Sequence, residues 1–251
     1  MRIALIVFAV LFLGNAASVA CLYHFNKEYA FGVVPLFNFD REANLPTLFA
    51  GVLLAGSGLL CLRIERWQRQ RPNSSEALKQ WKWVGYILLF LALDECAGIH
   101  ENLDFILMPR VESTGVAAWP WVIPYLGLAF IVSVSLLRFF LKLPRPTQMG
   151  LAIFSILFVC GAIGMEMIAA SYAEVHGENN LRNALHYSIE ETAEVCAVLI
   201  LLRTLFHYGQ HYAGGLVEER SLSWDRSSQL ESGVVGTRIQ LDGSNHKGEV
   251  A

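Results

Sequence analysis

Long runs of apolar residues recur along the chain, and they limit most strongly how it can fold. The chain has 251 residues, of which 54% are hydrophobic and only 16% are charged. The apolar residues gather in runs of about twenty, which is the helix length needed to cross roughly 30 Å of hydrocarbon. The sequence lacks the ten-residue alternating segments of outer-membrane barrels. It therefore predicts an all-α, polytopic membrane helical bundle.

Six runs are predicted to span the membrane, within one transmembrane domain at residues 1–208. The first run could instead be a cleaved signal peptide, because small residues at 18–20 precede Cys21, and five spans would then remain. We favour a retained helix, since the apolar run continues through Leu22. Residues 209–251 are rich in Ser, Gly and charge and are predicted to form a disordered cytoplasmic tail. The predicted spans lie at about 3–23, 45–62, 83–105, 119–138, 149–170 and 184–206.

Basic residues are distributed unevenly among the predicted loops, and this sets the predicted orientation. Lys and Arg in short loops stay on the cytoplasmic side, so the basic segment between the second and third spans faces the cytoplasm. Both termini are then cytoplasmic, in a bacterial inner membrane. Trp119, Trp121 and Tyr125 are predicted to form an aromatic belt at the outer end of the fourth span. The basic segment comprises Arg63, Arg66, Arg69, Arg71, Lys79 and Lys82.

Acidic residues interrupt three of the apolar runs at positions otherwise suited to lipid. Each ionisable group in the hydrocarbon costs roughly 2.5–3.5 kcal/mol, so such groups need a compensating partner. At about 1.5 Å per residue, all of these acids fall in the outer half of the membrane. The sequence thus predicts that the three helices meet at one site on the periplasmic side. The residues concerned are Asp94, Glu95, His100, Glu101, Glu166, His186, Glu190, Glu191 and Glu194.

The predicted site carries an excess of negative charge and needs a cation. The outer halves of the spans contain no Lys or Arg, and Arg182 at a loop edge could reach one carboxylate at most. Carboxylates and histidines on facing helices hold iron, manganese or zinc in helical bundles. We predict a divalent metal site in which Glu95 and Glu191 remain available for proton transfer. The predicted ligands are Asp94, His100, Glu101, Glu166, His186, Glu190 and Glu194.

Two alternatives compete with a metal site for the same acids. They could form a proton or ion path, or a buried polar network that is protonated or hydrogen-bonded for structure. The five cysteines form no CxxC pair, so no disulfide framework is predicted.

Four short motifs resemble segments of a known family. NLPT at 44–47, DExxxxHE at 94–101, WVIPY at 121–125 and EExxE at 190–194 are similar to segments in corresponding spans of a family of uncharacterised bacterial multi-pass inner-membrane proteins. The resemblance covers about residues 40–205. It implies the multi-span architecture and the importance of the acidic stretches, and it brings no activity with it.

A more distant likeness is to the ceramidase-like membrane hydrolases. Those proteins hold zinc in a helical bundle with three histidines and an aspartate beside a serine. This chain differs, because it has six predicted spans rather than seven and glutamates where histidines are wanted.

The predicted function is that of a membrane-embedded metal-dependent enzyme. With iron or manganese it would be a di-metal oxidoreductase acting on a lipid or quinone-like substrate. With zinc it would be a lipid hydrolase that uses metal-activated water. Membrane lipids are the expected surroundings. A nucleic-acid partner is not expected, because the net charge is −3 and no basic, aromatic-interleaved patch is present.

Two further functional classes remain open from the sequence. A proton- or cation-coupled transporter or channel could use the same acids. It would favour a broken helix in the middle of the membrane and polar residues that continue to the cytoplasm, and neither is obvious in the sequence. The chain could also be a structural subunit of a larger membrane complex. The sequence leaves the oligomeric state open.

Overall fold

The computed structural model describes residues 1–70, 80–107, 115 and 119–212. These residues are mostly helical and contain no strand, which confirms the predicted all-α class for the described ranges. A 3₁₀ turn lies at Ala30–Gly32 and a π-helical turn at Cys160–Met165. The α-helices are α1 (Arg2–Tyr23), α2 (Val33–Phe37), α3 (Leu45–Arg69), α4 (Trp81–Ala97), α5 (Ile99–Leu107), α6 (Val122–Phe140), α7 (Arg145–Val159), α8 (Glu166–His176) and α9 (Leu181–His211).

Four helical stretches of the described chain are long and apolar enough to cross a membrane. They are α1, α3, α6 and the continuous stretch Arg145–His176, which joins α7, the π-helical turn and α8. Apolar side chains such as Ile6, Phe130 and Ile156 remain exposed on three of them, as contact with lipid requires. The chain is therefore a helical membrane protein. The shorter α4, with 17 residues, and the more polar α9 fall outside this set.

The start of α3 confirms a prediction from the sequence. Asn44 is the N-cap residue, and its Oδ1 accepts a hydrogen bond from the backbone N–H of Thr47 over 3.1 Å. Pro46 occupies the first turn, where its missing N–H costs little. Helix α3 continues past the predicted end at residue 62 as far as Arg69.

Helices α3 and α4 pack along one another through small residues. Cβ atoms added to Gly58 or Gly85 would each lie 2.9 Å from the other residue's carbonyl oxygen. Nearer the end of α4, a Cβ added to Gly51 would overlap with the sulfur of Cys96 and lie 3.9 Å from the Cγ of Glu95. The missing side chains let α4 approach α3 closely, and this fixes the position of Glu95.

The predicted third span is not one helix. Helix α4 ends at Ala97, Gly98 adopts a left-handed conformation with φ of 56° and ψ of 44°, and α5 begins at Ile99. Glycine adopts this conformation without the steric cost that a Cβ brings. Asp94 and Glu101 both fall in the predicted third span at 83–105, but they lie on different helices. Asp94 is buried and Glu101 is exposed.

The predicted fifth span contains a second irregularity, the π-helical turn that ends just before Glu166. Such turns are rare and often occur at functional sites. A Cβ added to Gly161 in this turn would lie 3.2 Å from the Cγ of Glu194, so α9 passes close by. Helix α8 continues to His176. The outer loop between the predicted fifth and sixth spans, at residues 171–183, is therefore predicted too long. Residues 177–180 connect α8 to α9.

Helix α1 is joined to the rest of the bundle by a buried asparagine. Asn15 donates a hydrogen bond from Nδ2 to the Oγ of Ser188 on α9 over 2.8 Å. Its Oδ1 accepts a hydrogen bond from the backbone N–H of Phe39 over 3.0 Å. These bonds connect α1 with segments far away in sequence, which favours a retained helix over a cleaved signal peptide.

A buried aromatic group joins α3, α4, α6 and α9 at the opposite end of α4. The ring of Trp81 lies 5.0 Å from that of Phe139 and 4.9 Å from that of Tyr208. The Tyr208 hydroxyl accepts a hydrogen bond from Gln68 over 2.5 Å. This packing fixes the ends of the helices that carry the acidic residues.

The chain divides into a compact unit at Met1–Tyr208 and a second unit at Gly209–Ala251. The first unit coincides with the predicted transmembrane domain. Most of the predicted tail at 209–251 lies outside the described residues. Residues 71–79 of the basic segment and most residues between the predicted third and fourth spans lie outside them as well.

Candidate carboxylate site

Acidic residues from α4, α8 and α9 come together, as the sequence predicts. The carboxyl group of Glu194 interacts electrostatically with Glu191, Glu95, Glu166 and Asp94. Loop residues 38–44 add one more acid, Glu42. We call this group the carboxylate cluster. Its members are Glu42, Asp94, Glu95, Glu166, Glu190, Glu191 and Glu194.

The first close pair in the cluster is Asp94 with His100. Asp94 Oδ1 accepts a hydrogen bond from the backbone N–H of His100 over 3.0 Å and lies 3.4 Å from His100 Nδ1. The same oxygen accepts a hydrogen bond from the hydroxyl of Tyr125 over 3.0 Å. The backbone bond satisfies a free N–H in the first turn of α5. The break at Gly98 thus turns the start of α5 back onto the carboxylate that precedes it.

Glu42 is a member of the cluster that the sequence did not predict. Its Oε1 lies 3.7 Å from His100 Nε2, and a Cβ added to Gly98 would overlap with its carboxylate. Burial, together with the nearby charge of Glu101, raises the pKa of Glu42 to about 7, while His100 opposes the shift. A single acid in a loop of mixed charges gives no periodic signal. Its place just before the NLPT helix start is the only hint in the sequence.

The second close pair is Glu166 with Glu190, whose side chains form a hydrogen bond. An ionised carboxylate can only accept, so two carboxyl groups form this bond when one of them carries a proton. Oε2 of Glu190 is buried and has no hydrogen-bond partner within the described chain. A proton shared by this pair would leave Oε2 of Glu190 as a further acceptor oxygen.

Two residues predicted as ligands lie away from these pairs. Glu101 is exposed on α5 and interacts with Glu42 and Asp40 at the margin of the cluster. The ring of His186 meets the Tyr172 ring edge-on at 5.4 Å, and the charged group that interacts with it is Arg182. Arg182 lies over the same Tyr172 ring at 4.7 Å. The structure therefore places His186 in an aromatic and basic group beside the cluster.

The predicted aromatic belt is wrong for two of its members. Trp121 is only 5% exposed and packs with Val122 and Ile163. The ring of His100 lies 4.8 Å from the Trp121 ring and 6.3 Å from the Tyr125 ring. These two aromatic residues form a wall of the site, because the start of α6 is turned toward α5 and the π-helical turn.

Positive charge near the cluster is sparse in the described ranges. The ion pairs between described residues that involve the cluster are those of His100 with Asp94 and Glu42. As the side chains stand, no group of three or more His, Cys, Asp or Glu residues in this part of the chain could hold a metal ion. Asp94 Oδ1 and His100 Nδ1, however, have a spacing of 3.4 Å. Two ligand atoms that each bind the same ion at about 2.0–2.2 Å lie at roughly this distance from each other.

Comparison with known proteins identifies a family. The sequence profile described as a domain of unknown function (DUF8692) matches residues 3–208. This range includes every member of the carboxylate cluster. No curated protein and no solved structure matches the chain.

Proposed function

The chain belongs to the DUF8692 family, and we propose that it is a membrane-embedded, metal-dependent enzyme whose carboxylate cluster binds a divalent cation. The convergence of acids from four segments supports this proposal. Loop 38–44, α4, α8 and α9 all contribute carboxyl groups, while His100 is the basic partner in those ion pairs of the described residues that involve the cluster. Buried charges without compensation are costly. In the metal-free protein, bound protons neutralise the carboxyl groups of the cluster. A bound cation replaces these protons.

The two close pairs provide the proposed ligands. Asp94 and His100 supply an oxygen and a nitrogen, and Glu166 and Glu190 supply carboxylates once their shared proton is released, as metal binding requires. Glu194 interacts with acids of both pairs and is the proposed bridge between them. Such mixed oxygen and nitrogen ligands suit iron, manganese or zinc. Glu101 and His186 are not in this ligand set because of their positions.

Glu95 and Glu191 are the proposed proton-transfer groups. They lie on α4 and α9 and interact with each other, beside the proposed ligands. With two iron or manganese ions, the site would support oxidation of a lipid or quinone-like substrate, with dioxygen as the electron acceptor. With zinc, it would hydrolyse a lipid through metal-activated water. The carboxylate-rich composition favours the oxidative chemistry.

We place the site in the outer half of a bacterial inner membrane, facing the periplasm. In this proposal α4 with α5 forms the third span and α9 the sixth, and both termini are cytoplasmic. Arg63, Arg66 and Arg69 at the end of α3 support this orientation, because basic residues flank spans on the cytoplasmic side.

Thermal unfolding tests cation binding without knowledge of the substrate. Chelator-treated full-length protein in detergent is titrated with Mn²⁺, Fe²⁺ or Zn²⁺. We expect the unfolding temperature to rise with at least one ion, because a ligand that binds only the folded state stabilises it. Glu190→Gln with Glu194→Gln should abolish the rise. Glu65→Gln is the matched control, since Glu65 is also buried on a long apolar helix but is paired with Arg69. An unchanged unfolding temperature with all three ions would overturn the proposal.

A proton- or cation-coupled transporter is the second candidate. The left-handed break at Gly98 and the π-helical turn at Cys160–Met165 favour it, because transporters bind ions where helices are interrupted. Glu65 and Gln68 also place buried polar groups farther along α3. Proteoliposomes with a pH-sensitive dye inside test this candidate. A proton flux that a variant carrying Glu190→Gln and Glu194→Gln loses would favour transport over an enzyme.

A further inference from the structure

We propose that Glu42 is a positioning residue of the carboxylate cluster and acts through His100. The inference rests on the proposed function. Glu42 holds the Nε2 side of the imidazole ring, which leaves the Nδ1 side, next to Asp94, for a divalent metal ion. Glu42 would then be an outer partner of the metal site, supplied by the loop before α3.

The geometry around His100 supports this division of its two nitrogens. Nε2 lies 3.7 Å from Glu42 Oε1, and Nδ1 lies 3.4 Å from Asp94 Oδ1. The ring rests against Trp121 with 4.8 Å between the ring centroids. A carboxylate at each nitrogen and an aromatic wall leave the ring little freedom to turn.

Metal-binding histidines show a related arrangement, in which the 3.7 Å between Nε2 and Glu42 Oε1 would shorten to a hydrogen bond. The nitrogen that does not bind the metal usually donates its N–H to a carboxylate, which fixes the tautomer and the direction of the ring. Asp94 Oδ1 and His100 Nδ1 have the spacing of two ligands on one ion. Nε2 then carries the hydrogen and faces Glu42.

The loop that carries Glu42 is built by buried hydrogen bonds. Asn44 donates from Nδ2 to the carbonyl oxygens of Asn38 and Arg41, each over 2.6 Å. Asn38 Oδ1 accepts from the backbone N–H of Asp40 over 3.2 Å, and Asn15 holds Phe39. The loop thus presents Glu42 in one place. Across from it, Gly98 has no side chain that would keep the carboxylate away.

A double-mutant cycle tests whether Glu42 acts through His100. The dissociation constant for Mn²⁺ and for Zn²⁺ is measured on full-length protein in detergent for wild type, Glu42→Ala, His100→Ala and the double variant. We expect Glu42→Ala to weaken binding by about tenfold or more, the usual effect of losing an outer partner. In the His100→Ala background the same change should have almost no effect, because the residue through which it acts is absent.

Two further variants keep the test independent of folding and of simple charge removal. Glu42→Gln keeps an acceptor oxygen for Nε2 and should weaken binding less than Glu42→Ala. Glu28→Gln removes an exposed acid from the segment between α1 and α2 and should leave the dissociation constant unchanged.

The possible outcomes separate this inference from the proposed function. Suppose that Glu190→Gln with Glu194→Gln abolishes metal binding. If Glu42→Ala then has no effect, or weakens binding equally with and without His100, the role of Glu42 is overturned and the metal site remains. If the wild type binds neither Mn²⁺ nor Zn²⁺, the role of Glu42 is overturned, and if it does not bind Fe²⁺ either, so is the proposed function. A weakened Glu42→Ala variant whose effect disappears without His100 supports both.

Discussion

Tyr125, in the first turn of α6, donates a hydrogen bond from its hydroxyl to Asp94 Oδ1, near the end of α4, over 3.0 Å. The same oxygen accepts the backbone N–H of His100 over 3.0 Å. Two donors from different helices therefore fix the direction of one carboxylate. This oxygen is in place beside His100 Nδ1 before a cation binds, and the proposed ligand pair needs little rearrangement.

Tyr125→Phe should lower the free energy of unfolding by about 1.5–3 kcal/mol, the usual contribution of a hydrogen bond to a charged group. It should also weaken cation binding, because Asp94 loses one of the groups that orient it. Denaturant or thermal unfolding in detergent measures the first effect and a metal titration the second. Tyr86→Phe, at an exposed position on α4, is the matched control. Equal stability of the two variants would show that the bond to Asp94 does not form.

Gly98→Ala should destabilise the protein strongly. Alanine in the left-handed conformation costs about 1–2 kcal/mol, and its Cβ would also overlap with the Glu42 carboxylate. Gly127→Ala in α6 is the control, since nothing lies within 4 Å of a Cβ there and alanine is the better helix former. Thermal unfolding compares the two. If Gly98→Ala were as stable as Gly127→Ala, α4 and α5 would form one continuous helix.

The stability of metal-free protein should fall as the pH rises from about 4.5 to about 7. Glu42 has a pKa of about 7 in the folded protein, above its ordinary 4.5, because burial disfavours the charged form. Its contribution is therefore complete below pH 4.5, where both states are protonated, and is lost as the pH rises through the folded pKa. Glu42→Gln should make the decline shallower. Unfolding curves of both proteins between pH 4 and 8, with a chelator present, measure this difference. Parallel curves would contradict it.

Helix α1 should remain in the mature protein and contribute to its stability. Asn15→Leu would leave the backbone N–H of Phe39 and the Oγ of Ser188 without their partner, at a cost of about 1–3 kcal/mol. Ala16→Leu, on the neighbouring exposed position, should have little effect. The intact mass of purified protein should include residues 1–23. A mass that corresponds to a chain starting at Cys21 would show that the first helix is a cleaved signal peptide.

The sequence predicted those parts of the site that depend on position along a single helix. The second span was predicted to begin at residue 45, and α3 begins there because the cap at Asn44 acts locally, within three residues. Glu166, Glu190 and Glu194 were expected together because their depths in the membrane follow from the rise of a helix. These features need no knowledge of how one helix faces another.

The features that the sequence did not reveal depend on contacts between distant segments. The left-handed conformation of Gly98 is stabilised where Asp94 accepts the N–H of His100, and nothing in the letters Ala97-Gly98 distinguishes it from a helical glycine. Glu42 reaches His100 only because the loop before α3 folds over that break. Trp121 was predicted to lie at the lipid interface because its position near the start of a span is visible in the sequence, whereas the rotation of α6 is not.

The most direct test of the central claim is the metal content of protein purified without chelator, measured by elemental analysis. The carboxylate cluster predicts a near-stoichiometric amount of iron, manganese or zinc in the wild type. It predicts the loss of that metal in the variant carrying Glu190→Gln and Glu194→Gln, with Glu65→Gln unchanged. A wild type without metal, or a double variant that retains the same amount, would contradict the claim that these converging carboxyl groups hold a cation.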